Sequence, residues 1–249
     1  MDTKNFHSKN KQLFDIFLPV IDESVSLEKT IRIIEKNNSK HVFKYLIVLS
    51  KSKTIKKSLK SAYKMKSKYK KKVKLLFQKK KFIGGALKEA INNFSSSHFI
   101  LMASDLETNP NDVKKLIKNS LKCPKKIITA NRWMKKDSFE RYNAVKLILN
   151  KIFQFSISIL FRVKLSDLTF AFRVYPKMYL KNMILKENKH PILLETLLIP
   201  IKNKVDILEI PCKWKARTEG QSNNPFFRNF FYILTAFRIL FTNKKKLIK

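Results

Sequence analysis

The chain has 249 residues, of which 44% are hydrophobic, so it is long enough for one large domain or two small ones with a real core. Its 54 Lys and Arg residues outnumber 18 Asp and Glu residues, and the formal charge of +36 predicts attraction to nucleic acid, anionic lipid or nucleotide phosphates. Two separated cysteines, four dispersed histidines and the lack of an uncharged apolar run of roughly 20 residues argue against a disulfide scaffold, a zinc site and a membrane-spanning helix.

Apolar runs alternate with helical patterns through the first half of the chain. The predicted strands span residues 14–21, 45–49, 73–77, 99–102 and 126–130, and the helical patterns between them span 27–37, 54–72, 86–94 and 110–120. Continuous apolar strands in such an alternation are typical of parallel sheets that are covered on both faces. The sequence therefore predicts an α/β fold with a mostly parallel sheet flanked by helices.

Polar residues and glycines follow the ends of these strands, where ligands of parallel α/β sheets bind. These residues are Asp22, Glu23, Ser50, Gly84, Gly85, Asp105 and Arg132. Their shared position predicts a ligand site at the carboxyl edge of the sheet.

Asp105 and Glu107 directly follow the predicted strand 99–102. Because residues two apart in extended chain point the same way, the two carboxylates are expected to face one point. Carboxylates of this kind, with substrate phosphates completing the shell, bind Mg²⁺ or Mn²⁺. The alternative is a polar loop in which Asp105 caps the helix that begins near Pro110.

Three stretches suggest contacts outside the sheet. No acidic residue lies between Glu35 and Glu89, which indicates either a solvated lysine face or a face held to anionic lipid. Residues 142–163 and 225–242 are rich in apolar side chains with scattered cations, and this pattern suits helices that lie in a membrane interface. A core helix or a dimer contact is the alternative interpretation of both.

Several short motifs, in this order and spacing, resemble glycosyltransferase family 2, which has the Rossmann-like GT-A fold. Within the family they resemble the polyprenyl-phosphate sugar synthases of the dolichyl-phosphate mannose type. The matching segments are LPVIDE (18–23), GGA (84–86), ASD (103–105), ANR (130–132), DLTFAFRVY (167–175) and IPCKWKARTEGQS (210–222). The resemblance implies a GT-A domain over residues 1–224 and a basic, amphipathic membrane-interface segment over 225–249.

The resemblance also implies roles for individual residues. The donor-binding set would be Pro19, Asp22, Glu23, Ser50, Gly84, Gly85, Ser104 and Asp105. The ligands of Mg²⁺ or Mn²⁺ would be Asp105 and Glu107, and Glu195 matches another acidic position of the family. The acceptor phosphate would meet Arg132, Arg173, Arg217 and Ser222, and the catalytic set would be Asp105, Arg132, Asp167, Arg173 and Arg217. Asp167 would orient Arg173 or the sugar.

The sequence departs from the family pattern at three places. Ala103 replaces the first aspartate of the DxD motif, so the metal site lacks one carboxylate. The second strand ends in Leu49 and Ser50, where the family usually carries two aspartates that help to hold base and ribose, and Ala171 replaces a glycine. These changes are compatible with weaker metal binding, a different nucleotide or an inactive site.

The resemblance implies an inverting glycosyltransferase that moves a hexose from a GDP- or UDP-linked sugar to a polyprenyl phosphate. A glycan acceptor, which would require a carboxylate base such as Glu195 or Asp167, and a homologue that binds donor without turnover are the alternatives. We expect no nucleic-acid partner, because that function rests on charge alone and no known binding module is recognisable.

The polar N-terminus and the reduced cysteines favour a cytoplasmic protein, peripheral on the cytoplasmic face of a membrane. The expected partners are therefore a nucleotide sugar, a polyprenyl phosphate lipid and an anionic membrane surface. The sequence leaves open whether a small membrane subunit or a flippase is also needed.

Overall fold

The computed structural model describes residues 12–136, 138–139, 143–217, 219 and 229–249. Among these residues a seven-stranded sheet forms the centre of the fold. Its strands are β1 (Phe14–Val20), β2 (Val42–Leu49), β3 (Val73–Phe77), β4 (His98–Leu101), β5 (Ile127–Asn131), β6 (Arg173–Pro176) and β7 (Ile207–Pro211). In space they follow the order β3, β2, β1, β4, β6, β5, β7.

The sheet is mostly parallel, as predicted. β1 pairs in parallel with β2 and β4, β2 pairs in parallel with β3, and β5 pairs in parallel with β7. β6 lies between β4 and β5 and is antiparallel to both. The sequence analysis missed this strand because it has four residues and begins with Arg173, so no apolar run marks it.

Helices cover both faces of the sheet. They are α1 (Val25–Asn38), α2 (Lys56–Tyr69), α3 (Phe82–Asn93), α4 (Val113–Lys122), α5 (Ala144–Leu160), α6 (Lys177–Leu180), α7 (Ile192–Lys202) and α8 (Asn229–Phe241). Side chains alternate along β1, so that Ile16 and Leu18 pack into one core and Phe17 packs into the other. The first core lies under α1, α2 and α4, and the second lies under α3, α6, α7 and α8.

The two apolar stretches form helices inside their predicted ranges, as α5 and α8. No helix in the described part of the chain is both long and apolar enough to cross a bilayer. In α5 the buried residues are Gln154 and Ile157, whereas Ile148, Ile152 and Phe155 are exposed. The helix that is buried nearly all round is α7, which the sequence analysis did not single out.

The paired glycines lie in the first turn of α3, not in a loop before it as predicted. Gly84 donates a backbone hydrogen bond to the carbonyl oxygen of Asn188 at 2.7 Å, and a Cβ at this position would lie 2.5 Å from that oxygen. A Cβ on Gly85 would lie 1.9 Å from the carbonyl oxygen of Lys80. These glycines therefore permit close backbone packing around α3, which bears Phe82 and Ile83 on the cleft described below.

We expect Gly85→Ala to lower the free energy of unfolding by about 1–3 kcal/mol, because the new methyl group overlaps backbone that cannot rotate away. Urea unfolding followed by circular dichroism measures the change. Lys118→Ala, at an exposed position of α4, is the control and should change stability little. A Gly85→Ala protein as stable as the wild type would contradict the close contact with Lys80.

Candidate functional site

A large cleft opens at the carboxyl ends of β1, β2 and β4, with a volume of about 1680 Å³. Most of the predicted site residues line it, namely Pro19, Asp22, Glu23, Ser50, Ser104, Asp105, Glu107, Arg132 and Arg217. Their convergence confirms that the strand ends of the sequence pattern form one edge of the fold. Ser222 lies outside the described residues.

Asp105 and Glu107 meet through a turn, not through extended chain as the sequence analysis assumed. Leu106 between them has a positive φ of 66°, a backbone conformation that bulky residues rarely adopt. The backbone N–H of Glu107 donates to Oδ1 of Asp105 at 3.0 Å, which closes a local turn of the type that aspartate favours. This strained turn brings both carboxylates to one side.

The Arg217 guanidinium bridges these two carboxylates. Its Nε donates to Oε1 of Glu107 at 2.8 Å, and its Nη2 lies 3.2 Å from Oδ2 of Asp105. Burial raises the pKa of the Asp105 carboxyl to about 7, the negative charge of Glu107 acts in the same direction, and Arg217 opposes both. Burial likewise raises the pKa of Glu23. Three carboxyl groups, those of Glu23, Asp105 and Glu107, thus lie close together in the cleft, where a bound cation would stabilise their ionised forms.

The carboxylates of Asp105 and Glu107 suit a divalent cation that binds together with a diphosphate. Mg²⁺ is commonly held by one or two carboxylates plus substrate phosphates, and Asp105 with Glu107 supplies that number. Among the described residues there is no group of three or more His, Cys, Asp or Glu side chains placed to hold a metal. With alanine at position 103, only Asp105 and Glu107 of this segment would hold such an ion, and substrate phosphate would complete its shell.

Arg132 and Asp167 form a buried ion pair at the rim of the sheet. The Arg132 Nε and Nη2 atoms donate to the two oxygens of Asp167 at 2.8 Å each, and the Arg132 backbone N–H donates to Oδ2 at 3.0 Å. The guanidinium carbon also lies 4.6 Å from the centre of the Phe170 ring. Asp167 therefore orients Arg132 toward the cleft, not Arg173 or the sugar as predicted.

Arg173 does not line the cleft, and its predicted roles in catalysis and in acceptor binding do not fit its position. The side chain is fully buried in the sheet. Its guanidinium donates to the backbone carbonyl oxygens of Leu193 at 2.6 Å and Leu168 at 2.7 Å, and also to Thr129 and Tyr175. Arg173 therefore ties β6 to β5, to the first turn of α7 and to the loop at Leu168, because a buried guanidinium requires such partners.

Three residues that were predicted to bind the nucleotide sugar instead make contacts within the protein. Gly84 and Gly85 face the backbones of Asn188 and Lys80 and do not line the cleft. Ser104 lies at the cleft, where its Oγ donates to the carbonyl oxygen of Pro19 at 2.5 Å. That bond ties the end of β1 to the turn that carries Asp105, so Ser104 positions the metal-ligand turn.

The segment 212–217, together with Glu219, crosses the mouth of the cleft, and we call it the Arg217 strap. A β-bridge joins Trp214 to Thr108, and the Trp214 indole donates to Glu107 at 3.4 Å. At the other end, Glu219 accepts hydrogen bonds from the Ser26 backbone at 2.8 Å and from the Ser24 hydroxyl, at the N-terminus of α1. Partial burial disfavours the Glu219 charge, but these bonds outweigh it and lower the pKa of Glu219 to about 2.

Sequence reasoning missed the strap's anchors. Glu219 lies two residues after the predicted Arg217, and Ser24 and Ser26 lie at the N-terminus of α1, but the sequence does not show that these regions meet. Glu195, which was considered as a base for a glycan acceptor, does not line the cleft. Its oxygens accept backbone N–H groups of Lys186 and Glu187 and pair with Arg238 of α8 at 2.7 Å, so Glu195 fixes α8 beside the cleft.

The far half of the cleft is apolar and is formed by α5 and α8. Its lining includes Leu149, Ile152, Phe153, Ile157 and Leu160 from α5, and Tyr232, Ile233 and Phe237 from α8. Lys146, on the first turn of α5, lines the same cleft. A charged half and an apolar half thus belong to one continuous space.

Comparisons with known proteins agree with this architecture. The family model described as "Glycosyl transferase family 2" matches residues 15–184. Solved structures of glucosyl-3-phosphoglycerate synthase from Mycobacterium tuberculosis are similar in fold. Its complex with uridine diphosphate has a TM-score of 0.71 at 13% identity, over 93% of this chain and 81% of that chain.

A second structure of that synthase contains Mn²⁺, UDP-glucose and phosphoglyceric acid, and matches with a TM-score of 0.71 at 12% identity, over 93% of this chain and 81% of that chain. No curated protein sequence matches the chain. The structural likeness confirms the predicted GT-A fold. Because the family model covers more than half of the sequence, the chain belongs to glycosyl transferase family 2.

Proposed function

We propose that the protein transfers a hexose from a nucleotide sugar to a polyprenyl phosphate at a membrane surface, with Mg²⁺ or Mn²⁺ as cofactor. Family membership supports glycosyl transfer from a nucleotide sugar. The observation that carries the choice of acceptor is the continuity of the cleft, in which carboxylates and arginines lie at one end and the apolar walls of α5 and α8 lie at the other.

The donor end has the groups that a nucleotide diphosphate sugar requires. Asp105 and Glu107 would hold the divalent cation, which when bound neutralises charge on the diphosphate leaving group. The segment from Pro19 to Glu23 and the end of β2 at Ser50 line the same end of the cleft and would contact the nucleoside. The fold neighbour that was solved with Mn²⁺ and UDP-glucose supports this assignment by analogy of fold.

The acceptor end suits a molecule with an anionic head and an apolar tail. Arg132, which Asp167 orients through Nε and Nη2, would meet the acceptor phosphate, and Arg217 on its strap would bind phosphate oxygens closer to the cation. A phosphate monoester is already ionised at neutral pH, so its oxygen attacks the anomeric carbon without a general base. Attack opposite the leaving diphosphate inverts the configuration of that carbon.

The outer surfaces of α5 and α8 suit contact with a membrane. Phe155 and Ile159 of α5 are 66% and 60% exposed, and Phe230 and Phe241 of α8 are 61% and 80% exposed. Exposed apolar side chains on helices that also wall the cleft would lie among lipid chains, where a polyprenyl tail is dissolved. The positive charge of the chain would add attraction to anionic headgroups on the cytoplasmic face.

The decisive experiment incubates the full chain with UDP- and GDP-hexoses, Mn²⁺, and either a polyprenyl phosphate in detergent or 3-phosphoglycerate. We expect glycolipid product from one of the nucleotides and none with the soluble phosphate. Product with 3-phosphoglycerate alone would replace the lipid acceptor by a small anionic one. Donor binding without product in either case would support the alternative of an inactive homologue.

Asp105→Asn should lower kcat by about 100-fold or more, because it removes a charged ligand from the position where leaving-group charge is neutralised. Product formation from radiolabelled donor measures the loss. Asp206→Asn, which makes the same chemical change at an exposed surface ion pair, is the control and should retain full activity. Unchanged turnover in Asp105→Asn would remove Asp105 from the mechanism.

Phe155→Glu should weaken binding to lipid vesicles by about tenfold, because the ring leaves the apolar interface and a charge replaces it. Phe155 does not line the cleft, so binding of nucleotide sugar should stay the same. Leu121→Glu, on the opposite side of the sheet, is the matched control and should sediment with vesicles as the wild type does. Equal vesicle binding by all three proteins would place the membrane contact elsewhere.

A further inference from the structure

The guanidinium of Arg217 lies at the position where the cleft needs a cation. It contacts Glu107 through Nε at 2.8 Å and Asp105 through Nη2 at 3.2 Å. The guanidinium therefore lies between the two carboxylates that the proposed function assigns to the divalent ion. One positive group and one divalent ion cannot share that position, because like charges a few ångströms apart repel strongly at a partly buried site.

The strap that carries Arg217 is built to hold it there. Trp214 is fixed by the bridge to Thr108 and by its indole contact with Glu107. Glu219 is fixed by the Ser24 hydroxyl and by two backbone N–H groups at the N-terminus of α1. The bridge to Thr108 and the bonds of Glu219 do not involve the carboxylate pair, so they can hold the strap in place while the Arg217 side chain changes partner.

We propose that Arg217 is an internal counter-ion that occupies the cation position while the donor is absent and moves to phosphate oxygens when the metal arrives with a nucleotide diphosphate. The inference rests on the proposed function and adds an order of events to it. A diphosphate supplies the negative charge that Arg217 gains when it leaves Asp105 and Glu107, and a guanidinium binds such oxygens in pairs.

The exchange makes metal binding depend on the nucleotide. Without nucleotide, Mn²⁺ must displace the guanidinium from both carboxylates, and no phosphate replaces those two ion pairs. With nucleotide diphosphate, the same displacement exchanges one ion pair for another. The free protein therefore binds Mn²⁺ weakly, and the two ligands bind together.

The test measures binding of Mn²⁺ alone to the full chain, by electron paramagnetic resonance of the free ion, at fixed pH and ionic strength. Arg217→Gln should bind Mn²⁺ about tenfold more tightly than the wild type, because one competing positive charge is removed from the carboxylates. Lys215→Gln removes the same charge from an exposed position of the strap and should bind as the wild type does.

Two further variants separate charge from a disturbed strap. Arg217→Lys keeps a positive charge on the strap, so its affinity for Mn²⁺ should stay within about twofold of the wild-type value, whereas general loosening would affect Lys and Gln alike. Asp105→Asn combined with Arg217→Gln should lose the gain in affinity. An affinity for Mn²⁺ in Arg217→Gln that is unchanged or weaker than that of the wild type would overturn the proposal.

The same proteins distinguish this inference from the proposed function. If the wild type makes glycolipid but Arg217→Gln shows no gain in Mn²⁺ affinity, the inference fails and the proposed function stands. If Arg217→Gln gains affinity but no lipid phosphate is glycosylated, the counter-ion role stands and the acceptor assignment fails.

Discussion

The site depends on how two carboxylates are neutralised in a partly buried cleft. Asp105 is almost fully buried and lies next to Glu107, so its ionised form is disfavoured by both burial and like charge. The turn at Leu106 holds the pair together despite a strained backbone, and Arg217 compensates their charge. The surrounding contacts, from Ser104 to the anchored strap, position one or other of these three side chains.

This balance of charge offers a physical reason for Ala103, which stands where the family pattern has the first aspartate of the DxD motif. A third carboxylate at Ala103 would add negative charge near Asp105, where Glu23 already contributes to the raised pKa. One guanidinium group compensates the negative charge of two carboxylates more completely than that of three. The alanine and the strap arginine are therefore consistent with one arrangement, in which the protein carries fewer metal ligands and relies on substrate phosphate to complete the shell.

The sequence predicted β1 to β5 because their apolar runs alternate with helical patterns, and it predicted most of the cleft residues because they follow those strands, but it did not predict the parallel strand β7. It could not distinguish Arg132 from Arg173, since both lie in segments that resemble family motifs and nothing local shows that Arg173 begins a buried strand. The pairing of the strands gives the two arginines different positions. β6 runs antiparallel beside β4, and this buries Arg173 in the sheet, whereas Asp167 holds Arg132 at the rim of the sheet. Contacts between distant segments, such as Glu219 with α1, leave no local pattern.

The arrangement of charge along the cleft also constrains what can react there. The carboxylates lie at the sheet edge, the guanidinium groups of Arg132 and Arg217 line the same cleft, and the apolar walls of α5 and α8 complete it. An acceptor that carries its negative charge at the end of an apolar chain satisfies both kinds of wall at once. A small polar acceptor would leave the apolar walls facing water, and an uncharged lipid would bring no phosphate to the end of the cleft where Arg132 and Arg217 lie. Two separate contributions, burial of the tail and pairing of the phosphate head, therefore favour the amphipathic phosphate that we propose as acceptor.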